Sequence, residues 1–197
     1  MREDKSNLNI FVYDDKKVAF IRIAKTGSTS IKRFFGKESR RVEIDKISEL
    51  NDYFKFTFVR NPYDRFFSFY CDKVLGQQRY DKKVTKWLSG IGIQKGAPFK
   101  EAIIKLKDHV DNSDVHIRPQ SFFIYNNKRI IPDFIGRFET LEDDFEKVKK
   151  IVDIKKKLSH LNVNSNKYSK KDFYDDETYN MIYDIYKNDF DMLGYSK

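Results

Sequence analysis

Short apolar runs alternate with polar segments along the chain, and their spacing predicts alternating strands and helices. "NIFVYDDKKVAFIRIA" reads as two short strands joined by a turn at residues 14–17, with residues 18–23 as the core strand. "SIKRFFG" is predicted to be a short helix that Gly36 closes. "YFKFTFV", rich in aromatic and β-branched residues, is predicted to be the next strand. Strand, loop, helix and strand make a βαβ unit, which predicts parallel strands joined by a right-handed crossover.

From Asn61 onward the pattern predicts more helices than strands. Asn61 can cap a helix that has Pro62 in its first turn, and its apolar residues share one face. Thr140 is predicted to cap an amphipathic helix with acids in its first turn and lysines near its end. The other predicted elements are a helix in "PFKEAIIKLKDHV", a strand near residues 134–136, one closing helix in "DDETYNMIYDIYKNDFDML", a polar connection at 37–52, an ambiguous stretch at 77–97, and a loop with an extended or turn segment in "DNSDVHIRPQSFFIY".

These elements together predict an α/β fold. The expected architecture is one domain over residues 1–197, a P-loop-like three-layer sandwich with a central parallel sheet flanked by helices. The length suffices for a core, and 40% apolar with 16% aromatic residues is a folded composition.

The charge of the chain points to an anionic partner. Lys and Arg number 39 against 30 Asp and Glu, which gives a net charge of +9. Nucleic acid, a phosphorylated cofactor, an acidic glycan and a membrane surface all fit that charge.

A reducing setting is expected from cysteine usage and hydropathy. Cys71 is the single cysteine, so no intrachain disulfide can form. The N-terminal segment "MREDKSNLNI" has no apolar signal core, and no run approaches the roughly 20 apolar residues that span a bilayer. These features predict a cytoplasmic location and no integral membrane segment.

"KTGSTS", residues 25–30, leaves the core strand with a composition that suits an anion. Backbone N–H groups at a helix start, together with the helix dipole, attract negative charge. Gly27 permits close backbone approach, Lys25 adds a charge, and three hydroxyl residues add donors, namely Ser28, Thr29 and Ser30. An ordinary capped turn is the alternative. The Walker order G-x-x-x-x-G-K-[ST] is absent, because the lysine precedes the glycine.

A second polar segment leaves the next core strand through Arg60. Ligands of open α/β sheets sit at the carboxyl ends of the strands, so Arg60 should lie beside the first loop if the two strands are neighbours. Ser68 follows on the helix. Two adjacent anion sites suit a nucleotide with phosphates at two positions. The alternatives are a salt bridge from Arg60 to Asp64 and a solvated Ser68.

Five segments in order resemble the carbohydrate sulfotransferases, most closely the heparan 2-O and chondroitin 4-O groups. "FIRIAKTGSTS" resembles their 5′-phosphosulfate-binding loop and "FVRNPYDRFFSFY" their 3′-phosphate-binding segment. "DVHIRPQSFF", "DFIGRFETLEDDF" and "YNMIYDIYKNDFDMLGY" are similar to three later segments of that family. The chain lacks the anchor, disulfides and glycosylation sites of the Golgi members, and so resembles a minimal soluble member.

The resemblance implies transfer of a sulfuryl group from 3′-phosphoadenosine 5′-phosphosulfate (PAPS) to a hydroxyl, most often of a sugar, with 3′,5′-adenosine bisphosphate (PAP) as product. Lys25 and His116 are the implied catalytic residues, with Lys25 on the leaving phosphate. His116 is preferred as general base over the other two histidines, His109 and His160. The acceptor can be acidic, and Arg118 and Gln120 would contact it or orient the loop around Pro119. Donor binding is implied for Lys25, Thr26, Gly27, Ser28, Thr29, Ser30, Arg60, Ser68, Asn162, Ser165 and Lys167.

No metal is expected, because the three histidines are dispersed and Cys71 has no partner. The resemblance to sulfotransferases also implies no nucleic-acid partner. Two other functions stay open at this point. One is a nucleotide-dependent kinase or phosphotransferase with the same loop geometry. The other is a non-catalytic binder of anionic glycan or nucleic acid. The oligomeric state is left open.

Overall fold

The computed structural model describes residues 10–77, 81–110, 115–126, 129–156 and 167–197. Two predicted donor-site residues, Asn162 and Ser165, lie outside the described residues. Two compact units can be distinguished, one comprising Met1–Arg60 with Gln120–Val163 and the other Asn61–Pro119 with Asn164–Lys197. The expectation of a single domain stays a prediction.

A five-stranded mixed sheet forms the centre of the first unit. Strands β2, β4 and β7 run parallel to one another, while β1 pairs antiparallel with β2 and β3 antiparallel with β1, so the order is β3-β1-β2-β4-β7. The strands are β1 Ile10–Tyr13, β2 Val18–Ile21, β3 Arg40–Val42, β4 Phe54–Val59 and β7 Phe134–Arg137, and β5 Tyr125–Asn126 pairs with β6 Arg129–Ile130 in a separate two-stranded sheet.

The α/β prediction is confirmed, with one change in the sheet. Three consecutive strands, β2, β4 and β7, are parallel, as the βαβ pattern predicts. β1 is antiparallel to both of its neighbours, β2 and β3, so the sheet as a whole is mixed. β1 and β2 are joined only by the short turn at Asp14–Lys16, and so short a connection can join only antiparallel strands.

Aromatic side chains fill the core of the first unit. Strand side chains alternate between the two faces of a sheet, and Phe11, Phe20 and Phe56 share the face on which two helices pack. The helices are α1, Ser28–Phe35, and α6, Leu141–Ile151. Phe34 of α1 meets Phe145 of α6 edge to face, with ring centroids 4.8 Å apart. The two helices that follow polar loops are therefore held against the sheet by ring packing.

The second unit is helical. Its core consists mainly of aromatic and aliphatic residues from successive helices. Asn61 caps the first helix by accepting from the Tyr63 N–H at 3.0 Å, and Pro62 occupies its first position, both as predicted. The helices are α2 Pro62–Phe69, which continues as a π-helical turn over Tyr70–Val74, α3 Lys82–Gly90, α4 Phe99–Lys107, α7 Asp176–Ile185 and α8 Lys187–Leu193, while α5 Ser121–Ile124 belongs to the first unit.

Four local expectations differ from the structure. The polar connection at 37–52 holds β3 and a 3₁₀ stretch at Ile44–Leu50. The segment after Gln120 forms the one-turn helix α5. The closing helix is two helices, because Tyr186 leaves helical geometry at φ −110° and ψ 22°. Thr140 occupies the N-cap position of α6, but its hydroxyl donates to Asp144 rather than accepting from the backbone.

Candidate anion-binding site

The loop after β2 holds an unusual backbone conformation at its lysine. Lys25 has φ 70°, in the left-handed region that costs an L-residue about 1–2 kcal/mol. Strained residues persist where their surroundings determine them, and they concentrate at functional sites. Thr26 is fully buried, and its hydroxyl donates to the carbonyl of Ile23 at 2.9 Å. A buried hydrogen bond therefore holds the conformation of this loop.

Gly27 ends the loop and begins α1, and two constraints require glycine there. Its φ is 77°, and a Cβ on it would lie 2.7 Å from Cδ2 of Leu141 and 3.3 Å from the Phe138 ring. Phe138 and Leu141 follow β7, so the start of α1 lies against the segment that leaves another parallel strand. The close approach fixes where the helix begins.

The start of α1 presents backbone donors. Ser30 and Ile31 make the first backbone hydrogen bonds, both to the carbonyl of Gly27, at 3.0 and 3.4 Å. The N–H groups of Ser28 and Thr29 come earlier and have no carbonyl one turn before them within the helix. They lie at the positive end of the helix dipole, which favours an anion.

Arg60 joins the second predicted segment to this loop. It directly follows β4, whose parallel neighbour is β2, so the two carboxyl ends are adjacent as predicted. Its guanidinium Nη1 donates to the carbonyl of Lys25 at 3.2 Å, and the guanidinium carbon lies 4.2 Å from the centroid of the Phe138 ring. Arg60 thus touches both the loop after β2 and the segment after β7.

Gln120 holds the main chain of Arg60. The Arg60 N–H donates to Oε1 of Gln120 at 2.9 Å, and Nε2 of Gln120 donates to the Arg60 carbonyl at 2.8 Å. Gln120 is fully buried, so its amide replaces a strand partner at the point where β4 ends. Both roles that the sequence left open for Gln120, acceptor contact and orientation of the loop around Pro119, stay predictions.

A buried carboxylate supports the segment after β7. Oδ2 of Asp144 accepts from the Arg137 N–H and from the Thr140 hydroxyl, each at 2.9 Å. Burial acts to raise the pKa of Asp144, but these bonds and one from Lys147 at 2.7 Å outweigh it, so the pKa is lowered. Asp144 therefore fixes the turn that presents Phe138 to the guanidinium of Arg60.

Among the described residues, three cations lie in or beside the loop. Besides Lys25 and Arg60, Arg22 places its Nε 3.4 Å from the hydroxyl oxygen of Ser28. Their charges, the hydroxyls of α1 and its first N–H groups can hold a phosphate or sulfate by charge-assisted hydrogen bonds. A cation beside the oxygen that carries developing charge also lowers the barrier to its departure.

The remaining predicted site residues that the structure describes belong to the second unit. Ser68 lies half-buried on α2. His116 is half-buried in a turn whose next residues, Ile117 and Arg118, are buried. Lys167 is exposed. Their roles stay predictions.

Two groups of residues at the site were missed from the sequence. Arg22 had a signal, since it is the one charged residue in the apolar run from Val18 to Ala24. Phe138 and Leu141 lie in the segment "DFIGRFETLEDDF", which resembles the family, but nothing in the sequence says that they lie against Gly27. The described residues include no group of three or more His, Cys, Asp or Glu that could hold a metal ion.

Comparisons with known proteins give one family and one curated relative. A model described as the sulfotransferase family matches residues 8–196. Human carbohydrate sulfotransferase 9 is 25% identical over 235 aligned positions, which cover 95% of this chain and 53% of that protein. The chain thus spans about half the length of the curated relative that it matches. No solved structure matches it significantly. Across the described ranges, no helix has the length and apolar character to cross a bilayer.

Proposed function

Since the chain belongs to the sulfotransferase family, we propose that it transfers a sulfuryl group from PAPS to a hydroxyl of a carbohydrate by in-line displacement. One observation carries the proposal. The two segments predicted to bind the donor phosphates are joined by the hydrogen bond from Arg60 to the Lys25 carbonyl, at the carboxyl ends of neighbouring parallel strands. The similarity to human carbohydrate sulfotransferase 9 supports a sugar acceptor.

The donor, when bound, supplies a sulfuryl group linked to its 5′-phosphate. Lys25 and the N–H groups of Ser28 and Thr29 would hold that phosphate and neutralise the charge that grows on its oxygen. Arg60 would bind the 3′-phosphate, which ADP and AMP lack. His116 would accept the proton of the acceptor hydroxyl as its oxygen bonds to sulfur. The cations around the loop fit this donor because it carries negative charge at two separate places.

Donor recognition is tested first by calorimetric titration with PAP, ADP and AMP. We expect PAP to bind most tightly and Arg60→Lys to lose most of that preference, since lysine has no planar fork for two acceptors. Arg40→Lys is the matched control. Arg40 lies on β3, and its side chain also donates a hydrogen bond, to Asp14 at 2.9 Å. Equal binding of ADP would favour the kinase alternative.

Catalysis is tested with ³⁵S-labelled PAPS and a panel of oligosaccharides. Lys25→Ala should lower kcat by about 10²-fold or more, the scale of losing one group that stabilises the developing charge. Lys17→Ala is its control, since Lys17 is also a lysine with positive φ, 51°, but at the opposite end of β2. Full turnover in Lys25→Ala would refute the mechanism. Glycan binding that survives Lys25→Ala, falls steeply with salt and yields no product would favour a non-catalytic binder.

The finer points of location and base stay predictions with their own tests. The cytoplasmic location rests on sequence, and fractionation of cells that express the protein checks it. His116→Ala should abolish transfer and leave PAP binding nearly unchanged.

A further inference from the structure

Among the polar side chains buried in the described part of the second unit, three that the proposed chemistry does not use are considered together. Arg65 lies on α2, Tyr186 at the break between α7 and α8, and Asp189 in the first turn of α8. Each is at most 2% exposed. Arginine and aspartate are almost never so buried unless they are paired, so this trio requires a structural explanation.

Two of the three donate to consecutive carbonyls of one turn. Nη2 of Arg65 donates to the carbonyl of His116 at 3.3 Å, and the Tyr186 hydroxyl donates to the carbonyl of Ile117 at 2.7 Å. The donors come from parts of the chain far apart in sequence. The backbone of residues 116–117 is thus held from two sides by buried donors.

The third side chain, Asp189, favours the charged form of Arg65. Burial lowers the pKa of Arg65, while the charge of Asp189 acts to raise it. Burial also raises the pKa of Tyr186 far above its usual value, so its hydroxyl keeps its proton at any physiological pH. Asp189 is fixed to the same break, because its N–H donates to the Tyr186 carbonyl at 2.8 Å.

We propose that Arg65, Tyr186 and Asp189 form a positioning device for His116, which fixes its backbone and so the direction in which its imidazole points. The proposal rests on the proposed role of His116 as base. It gives a function to the closing segment "YNMIYDIYKNDFDML", which the donor site leaves unused. It also explains the break at Tyr186. The break sits where a buried phenol donates to the Ile117 carbonyl and where the Tyr186 carbonyl accepts from Asp189.

Tyr186→Phe tests the proposal, because it removes one hydroxyl and keeps the ring packing. Tyr70→Phe is the matched control. Tyr70 is equally buried in the same unit, and its hydroxyl donates to the carbonyl of Ala97 at 2.8 Å. Both variants should lose similar thermal stability, since each loses one buried hydroxyl-to-carbonyl bond.

Only Tyr186→Phe should disturb His116. In NMR spectra the imidazole signals of His116, identified by their loss in His116→Ala, should shift in Tyr186→Phe and stay in place in Tyr70→Phe. Turnover in Tyr186→Phe should fall about 3- to 10-fold, the equivalent of one hydrogen bond, with KM for PAPS unchanged. Arg65→Lys, which cannot reproduce the guanidinium geometry, should act in the same direction if it folds.

Equal effects of the two tyrosine variants on the His116 signals and on kcat would overturn the proposal, and so would unchanged signals in Tyr186→Phe. Unimpaired turnover in His116→Ala is a different result. It would remove His116 as base, while the comparison of imidazole signals still decides whether Tyr186 positions it.

Discussion

One carbon added at Gly27 should disturb both a close contact and the backbone. In Gly27→Ala the new Cβ would lie 2.7 Å from Cδ2 of Leu141, where carbon atoms ordinarily stay about 3.5–4.0 Å apart. The backbone would also have to keep φ at 77°. Both costs fall on the junction between the candidate anion-binding loop and α1.

The two costs can be estimated separately. A left-handed φ costs alanine about 1–2 kcal/mol. Forcing a methyl group into a filled contact costs about 1–3 kcal/mol more. Their sum, about 2–5 kcal/mol, corresponds to a loss of roughly 5–15 °C in Tm for a chain of this size. PAP binding should weaken as well, since the start of α1 must shift to relieve the overlap.

Urea denaturation of a small set of variants isolates the contact. Gly96→Ala is the control, because Gly96 has φ 80° and a Cβ added there would meet no atom within 4 Å, so it should lose only the backbone part. In a Leu141→Ala background the cost of Gly27→Ala should shrink by about 1–3 kcal/mol, since the obstructing methyl is gone. Equal losses at both glycines, with no coupling to Leu141, would refute the reasoning.

Two further predictions concern the residues that support the loop. Gln120→Met should lose about 2–4 kcal/mol of unfolding free energy and weaken PAP binding, because two part-buried backbone groups of Arg60 lose their partners. Calorimetry and urea titration check this, with Gln94→Met at an exposed position as control. Unchanged stability would contradict the prediction. Asp144→Asn should lose about 1–3 kcal/mol at pH 7. Since hydrogen bonds hold the folded pKa of Asp144 below 3.8 against the opposing effect of burial, this stabilisation is present above that value and disappears as pH falls through the folded pKa. In urea titrations across pH, Asp143→Asn should show no such trend. If the difference in unfolding free energy between Asp144→Asn and the wild type did not depend on pH, the prediction would be wrong.

The sequence predicted the parts of the fold that local pattern determines. The βαβ unit was predictable, because β2 and β4 are short, apolar and separated by a helix with clear end signals at Gly27 and Gly36. The placement of Arg60 beside the Lys25 loop followed from that topology alone.

Elements that depend on tertiary contacts were not predictable. β3 exposes Arg40 and Arg41, so it has no apolar alternation to reveal it. α5 is a single turn, too short to form without its surroundings. The break at Tyr186 is hidden because Ile182, Tyr186 and Phe190 are all buried at a spacing that also fits one continuous helix.

The burial of two polar side chains could not be predicted from the sequence either. Thr26 and Gln120 are residue types that bind ligands as readily as they brace a backbone, and only the fold shows both of them fully buried and bonded to carbonyls. Sequence thus identified the segments of the candidate site better than it assigned each side chain within them.

The left-handed backbone of Lys25 has a consequence for how this protein can change. Glycine would adopt φ 70° without the Cβ penalty, so it is the residue that stability alone would favour at position 25. Variants selected only for thermal resistance should therefore drift towards glycine there and lose the ammonium group. At this position the backbone favours glycine and the proposed chemistry requires lysine. Under the proposed mechanism, laboratory evolution would have to select for turnover to keep the lysine.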